Sequence, residues 1–159
     1  MKKILITGKD SYIGTNFKKY LEQYSDEYYV EELDVRNKSW KEFDFSQFDV
    51  VYHVAGIAHS TPDESQREFY YKVNTDLTYE VALKAKQEHV KQFIFMSSII
   101  VYGSGTIGED RIITKDTPLT PDNFYGDSKK QAEIKIKPLE DENFKMVIVR
   151  PPMIYGPGS

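Results

Sequence analysis

A chain of 159 residues, 40% hydrophobic and 29% charged, is long enough to bury one core and too mixed to be disordered or membrane-embedded. Its formal charge of -4 gives no general field for nucleic acid or anionic lipid, so neither is expected as a partner. It has no cysteine, which excludes disulfides, thiolate nucleophiles and Cys-type zinc sites.

Lys3–Thr7 is a continuous apolar run and predicts a buried parallel strand. The run is too short for a signal-peptide core, and no stretch reaches the roughly 20 apolar residues of a membrane helix, so a cytoplasmic protein is expected. Tyr12–Gln23 carries Ile13, Phe17, Tyr20 and Leu21 at helical spacing. Tyr28–Asp34 predicts a second strand, Trp40–Phe45 a short third and Asp49–Ala55 a fourth, closed by Gly56. In Asp63–Glu88, Phe69, Val73, Leu77 and Val81 fall four apart, which predicts one long helix. Gln92–Ser97 reads as a fifth strand, residues 99–123 as a long loop, Phe124–Lys137 as a helix and Lys145–Val149 as a sixth strand. Strand alternates with helix throughout. That order predicts an α/β fold, a Rossmann-like doubly wound parallel sheet with helices on both faces. An end just after a core strand leads one to expect further chain beyond it.

The first strand runs into Thr7-Gly8-Lys9-Asp10-Ser11-Tyr12-Ile13-Gly14 and then a helix, the context in which a glycine-rich turn meets phosphate. Gly8 permits the turn, Gly14 lets helix pack on strand, and the helix N-terminus presents amides to a pyrophosphate. Ser11 stands where the usual pattern has a middle glycine, and its hydroxyl can itself donate to phosphate. No Gly-Lys-Ser/Thr follows, which argues against a nucleoside-triphosphate loop. Asp34, 26 residues after Gly8, is placed to accept adenine-ribose hydroxyls, whereas Arg36 is placed to clamp a 2′-phosphate. The two signals conflict, so NAD and NADP both stay open.

Ser98 lies at the end of the predicted fifth strand, and Tyr125 and Lys129 stand four apart on one helix face. Ligands of an open parallel sheet bind at the carboxyl ends of its strands, where Ser98 and Tyr125 can meet. A phenol there would act as general base or acid on a substrate hydroxyl, its pKa lowered by the Lys129 ammonium and a cationic nicotinamide. Ser98 would hold the same oxygen, and Lys129 would also reach the cofactor ribose. Ser97 is the neighbouring alternative. His53 reads as a packing residue in a buried strand, His59 as a loop residue able to touch substrate, and His89 as a surface or capping residue. No His/Asp/Glu cluster has metal spacing, so no metal is expected.

Together, Thr7–Gly14, His53-Val54-Ala55-Gly56, Val73-Asn74-Thr75, Ser97-Ser98 with Val101-Tyr102-Gly103, Tyr125–Lys129 and Arg150–Pro157 resemble the extended short-chain dehydrogenase/reductases, in their NAD-dependent epimerase/dehydratase group acting on nucleotide sugars. The resemblance implies that residues 1–159 form an NAD(P)-binding domain lacking the C-terminal substrate domain. It implies that Gly8, Ser11, Tyr12, Ile13 and Gly14 meet the pyrophosphate and that Asp34 or Arg36 meets the adenine ribose. Asp44 and Phe45 would lie beside the adenine, and Val54, Ala55 and Gly56 would line the cofactor. Asn74 would support the site, and Pro152 to Ile154 would border the nicotinamide. Ser98, Tyr125 and Lys129 match the catalytic positions. A nucleotide-sugar substrate and a homodimer through a four-helix bundle are also implied. Two departures stand out: Ser11 itself, and a stretch from Phe45 to Asp49 too short for the usual helix before the fourth strand.

Dehydratases of this group carry an Asp-Glu pair after the Ser/Thr, and Ile99 and Ile100 here move no protons. A UDP-glucose 4-epimerase-like enzyme is therefore the leading expectation. A keto-sugar reductase or dehydrogenase and a non-catalytic NAD(P)-sensing module are the alternatives.

Overall fold

β1 (Lys2–Thr7) forms from the first apolar run and becomes an interior strand, with Leu5 and Ile6 fully buried. The computed structural model describes residues 1–58, 63–105 and 110–158. Among these, β2 (Tyr28–Leu33), β3 (Val50–His53), β4 (Gln92–Met96) and β5 (Lys145–Val149) complete a parallel sheet in the order β2-β1-β3-β4-β5. Thr7 pairs with Leu33 and with His53, His53 with Phe95, and Met96 with Val149. The carboxyl ends of all five strands therefore share one rim. The chain leaves β1 for β2 on one side and returns to β3 on the other, so a switch point opens there, where such sheets bind ligands.

Alternation along β1 divides the core. Ile4 and Ile6 pack with Leu21, Val50, Tyr52 and Met96, under Ile13 and Phe17 of α1 (Tyr12–Leu21). Leu5 points the other way, into a larger cluster with Val51, Phe93 and Phe95. That cluster is covered by α3 (Thr78–Gln87) and α4 (Phe124–Ile136), which contribute Val81, Ala82, Ala85, Ala132 and Ile136. Helices thus lie on both faces, as the element order predicts.

Three local expectations are corrected. Trp40–Phe45 is not a strand, so among the described residues the sheet has five strands and β2 is an edge. Asn37 caps a 3₁₀ turn, Lys38–Glu42, by accepting from the Ser39 amide at 3.0 Å. Trp40, Phe43, Phe45 and Phe48 then pack as an aromatic group in the larger core instead of alternating across a sheet. The β2–β3 crossover is correspondingly short and carries no α-helix, as the Phe45–Asp49 spacing implies.

The predicted long helix is segmented: a 3₁₀ turn Glu64–Gln66, α2 (Arg67–Tyr70), a π-helical stretch Tyr71–Leu77, then α3. The wider π turn moves the buried face by one residue. Phe69 is left 55% exposed, while Tyr70, Asn74, Thr75 and Thr78 are buried. Apolar periodicity misses this face because half of it is polar, each polar group bonded internally. Finally, the predicted loop 99–123 opens with a 3₁₀ turn, Ile99–Tyr102, that buries Val101 and Tyr102.

Candidate active site

The rim at the switch point holds a cleft of about 860 Å³, within the size range of small-molecule sites. Ser11, Tyr12 and Ile13 border one end, and Val54, Gly56 and Met96 form part of its floor. Ser98, Tyr125 and Lys129 border it as well, as do Pro152 and Ile154. Residues more than a hundred positions apart in sequence thus meet around one space.

The phosphate-loop end is built by close contacts. Gly8 adopts φ 125°, and a Cβ there would stand 2.7 Å from the Ala55 amide nitrogen. A side chain is excluded on both counts. Ser11 caps α1 by accepting from the Gly14 amide at 3.1 Å. A Cβ on Gly14 would reach 2.7 Å from the Ser11 oxygen, so the two residues fit as a pair. Capping uses the oxygen of Ser11 and leaves its proton available to an anion. The first-turn amides of Tyr12 and Ile13 have no helical acceptor. This donor set, with two glycines that admit no Cβ, fits a dinucleotide pyrophosphate.

Asp34 and Arg36 lie just beyond β2, outside the cleft lining but beside the loop, where the Gly8 and Lys9 amides donate to the Leu33 carbonyl. They do not compete as separate sites. The Arg36 side chain donates to both Asp34 oxygens through three contacts at 2.7–3.0 Å, and its amide adds a fourth at 2.8 Å. These bonds hold the Asp34 carboxyl down at about 2, so it stays ionised at working pH. Asp44 is exposed and accepts from Ser46, while the Phe45 side chain is fully buried in the core and does not reach the cleft.

Across the cleft, Ser98 Oγ accepts from the Ile100 amide at 3.3 Å, and its hydroxyl lies near enough to Tyr125 to act on its titration. Burial raises Tyr125 above the usual tyrosine value, the nearby Ser98 hydroxyl opposing it. The lowered pKa expected from Lys129 is thus not present in the chain alone. Lys129 explains why: its Nζ donates to the Met96 carbonyl at 3.0 Å and lies 5.0 Å from the Phe95 ring. Burial lowers Lys129 to about 8. A Cβ on Gly56 would come within 2.9 Å of this nitrogen and 3.1 Å of Asn74 Oδ1, so the glycine keeps the ammonium pocket open.

Asn74 holds two elements together. Its Oδ1 accepts from the Ile57 amide at 2.9 Å, and its Nδ2 donates to the Ile57 carbonyl and to Ser128 Oγ at 3.1 and 3.0 Å. Ser97 and Ser98 have separate roles: Ser97 donates to Glu133 at 2.5 Å, whereas Ser98 accepts from the Ile100 amide at 3.3 Å and borders the cleft with Tyr125. Two contributors escaped the sequence reading. Gly126 lets α4 approach the 99–102 turn, since a Cβ would meet the Ile100 carbonyl at 2.8 Å. Asn123 caps α4 through the Gly126 amide at 2.8 Å and borders the cleft. A glycine inside a predicted helix was the available signal for the first. His53 is fully buried, as expected of a packing residue, and His89 ends α3 in the left-handed region at φ 63°. His59 lies outside the described residues. Among the described residues there is no cluster of three or more potential metal ligands, and no helix is long and apolar enough to cross a membrane.

A glycine turn into a helix at the switch point of a parallel sheet, with Ser, Tyr and Lys across the cleft, defines the dinucleotide-binding class of α/β proteins. Residues 4–159 match the NAD dependent epimerase/dehydratase family, and the chain belongs to it. It is 35% identical over 177 residues to the UDP-glucose 4-epimerase of Vibrio cholerae, an alignment covering 99% of this chain and 53% of that protein. Among solved structures, the fold matches MoeE5 in complex with UDP-glucose and NAD at a TM-score of 0.82 and 22% identity, covering 98% of this chain and 56% of that one. It also matches the UDP-glucuronic acid 4-epimerase of Bacillus cereus in complex with NAD, at a TM-score of 0.81 and 23% identity, covering 99% and 58%. The chain spans about half the length of these relatives.

Proposed function

We propose that this chain is the cofactor-binding half of a nucleotide-sugar 4-epimerase that binds NAD and uses Ser98, Tyr125 and Lys129. The observation that carries the reading is that Ser98, Tyr125 and Lys129 line the same cleft as the phosphate-loop residues Ser11, Tyr12 and Ile13. Gly8, Ser11, Tyr12, Ile13 and Gly14 would hold the pyrophosphate, and Asp34 the adenine ribose. Val54, Ala55, Gly56, Pro152 and Ile154 would bound the cofactor, with Asp44 and Phe45 contributing backbone near the adenine. Bound NAD would accept a hydride from the sugar carbinol and return it. Tyr125, ionised beside the positive charges of Lys129 and the bound cofactor, would take the proton of the sugar hydroxyl as the hydride leaves and give it back to the sugar oxygen as the hydride returns; Ser98 would orient that oxygen. Ile99 and Ile100, both bordering the cleft, provide no second acid–base pair for water elimination. Pairing of two copies through a four-helix bundle belongs to the same proposal; Phe69 is an exposed apolar group it would cover.

Turnover belongs to the whole protein, and cofactor binding to this chain. With UDP-glucose or its acetamido equivalent, the whole protein is expected to form the C4 epimer without net NADH consumption. Net consumption without epimer would mean a reductase. NAD binding with no turnover, unaltered by Tyr125→Phe, would mean a sensing module. The ionised Asp34 already neutralises Arg36 and repels a 2′-phosphate. Calorimetry on this chain should therefore show NAD binding at least about tenfold tighter than NADP, and Asp34→Ala, which frees Arg36, should reverse the order. Equal affinities in the unaltered chain would remove Asp34 from the ribose site.

A further inference from the structure

Glu133 stands one helical turn beyond Lys129 on α4 and is only 4% exposed. Its carboxylate is fully engaged. Arg150 donates through Nε at 3.0 Å and through Nη2 at 2.6 Å, and Ser97 donates its hydroxyl at 2.5 Å. The third Arg150 nitrogen, Nη1, donates to the Tyr102 hydroxyl at 2.7 Å. The partners come from the residue after β4, the 3₁₀ turn that follows, α4 and the residue after β5. Three of them adjoin site residues along the chain: Ser97 precedes Ser98, Glu133 follows Lys129 by a turn, and Arg150 precedes the cleft-lining Pro151 and Pro152.

Replacing a buried ion pair with apolar groups is often neutral or stabilising, so stability alone does not account for this one. Lys129 supplies a second reason. Its ammonium is buried against a carbonyl and a ring, and no ion pair among the described residues reaches it. Facing it from β3 is His53, uncharged between two hydroxyls. From the π turn comes the Asn74 amide oxygen, and from α4 come Tyr125 on one side and Glu133 on the other. Glu133 is the anionic group of this set, and Arg150, bound to both of its oxygens, fixes where that charge sits.

We propose that Glu133, held by Arg150 and Ser97, is a positioning residue whose negative charge keeps Lys129 protonated inside the site. The proposal rests on the reading of Lys129 as part of the site. Its test needs neither dinucleotide nor sugar, so failure of either leaves the other standing. The chain is labelled with ¹³C and ¹⁵N at lysine, and the Lys129 side-chain signal, assigned by its loss in Lys129→Met, is followed with pH. Glu133→Gln preserves shape and removes charge; Glu133→Asp preserves charge and fits worse. The Lys129 midpoint should fall by about one unit in the Gln variant and stay near the parent value in the Asp variant. A purely structural role predicts the reverse order of damage. If Glu133→Gln does not fold with an uncompensated Arg150, the double substitution Glu133→Gln, Arg150→Gln removes the pair as a unit, and the midpoint should still fall. An unmoved midpoint in whichever variant folds, or an Asp variant as low as the Gln variant, overturns the proposal.

Discussion

Lys129→Met should make the folded chain more stable at pH 7 by about 2 kcal/mol while abolishing any hydride-transfer activity. Burial depresses the ammonium from its ordinary 10.5 to about 8, so the folded state holds the proton less well than the unfolded state. Below pH 8 both states are protonated, and the whole cost of the buried charge falls on the folded one. Between about pH 8 and 10.5 the folded chain has released the proton and the unfolded chain has not. Stability due to this group therefore rises with pH across that window and is lost as pH falls back through 8. Methionine removes the charge at similar volume but leaves the Met96 carbonyl without its 3.0 Å donor, which offsets about 1 kcal/mol. Urea unfolding at pH 7 and pH 10 measures the effect. The advantage of the variant should shrink at the higher pH; an advantage independent of pH, or none at pH 7, would mean that the ammonium is not the destabilising group.

Acid should find a second weak point in the same core. His53 is fully buried, stacked between the rings of Phe93 and Phe95 at 5.9 and 6.1 Å. Its tautomer follows from the hydroxyls beside it. Thr78 spends its one proton on the Asn74 carbonyl at 2.7 Å, so it accepts from His53 Nε2–H at 3.1 Å. Nδ1 is then the acceptor of the Thr7 hydroxyl at 2.7 Å. A second ring proton has no acceptor here, and burial, aided by the charge of Lys129, pushes the imidazole from 6.5 down to about 3. The folded pKa is the lower one, so this contribution is complete above about pH 6.5 and drains away as pH falls toward 3. Between pH 7 and 4.5 the parent should lose about 3 kcal/mol more than His53→Phe, which keeps the ring stack without the titration. Denaturant melts at the two pH values give the difference. Equal losses, or a His53 ring signal titrating near 6.5, would contradict a neutral buried imidazole.

The parts of this molecule that were readable from residues are those with local signatures. Apolar runs gave five of the six expected strands, and Gly8 and Gly14 marked the turn because only glycine fits there. The four-residue spacing of Tyr125 and Lys129 put both on one face of α4, and strand order placed Ser98 opposite them. What was misread has local patterns that tertiary packing overrides. Trp40, Phe43 and Phe45 look like a strand because aromatics favour one, yet the core takes them as a sideways cluster behind a capped turn. Phe69 looks buried because its spacing matches Leu77 and Val81, yet the face that packs carries Asn74, Thr75 and Thr78. The Ser97–Glu133–Arg150 contact was not legible at all. It joins residues 36 and 17 positions apart, and no spacing rule connects a strand end to a helix and to the next strand end.

The widened turn at Tyr71–Leu77 also bears on how this chain tolerates change in length. Loss of one residue there would heal the backbone into an ordinary helix, a gain in local regularity. It would also rotate everything upstream by about 100° about the axis. Tyr70, whose ring meets those of Phe124 and Tyr125 at 5.0 and 6.0 Å, would swing out of the interior and leave a hole behind the proposed proton carrier. The irregularity thus works as an indexing notch: a surplus residue keeps the two halves of the segment in phase with different neighbours, so an otherwise harmless deletion would be selected against.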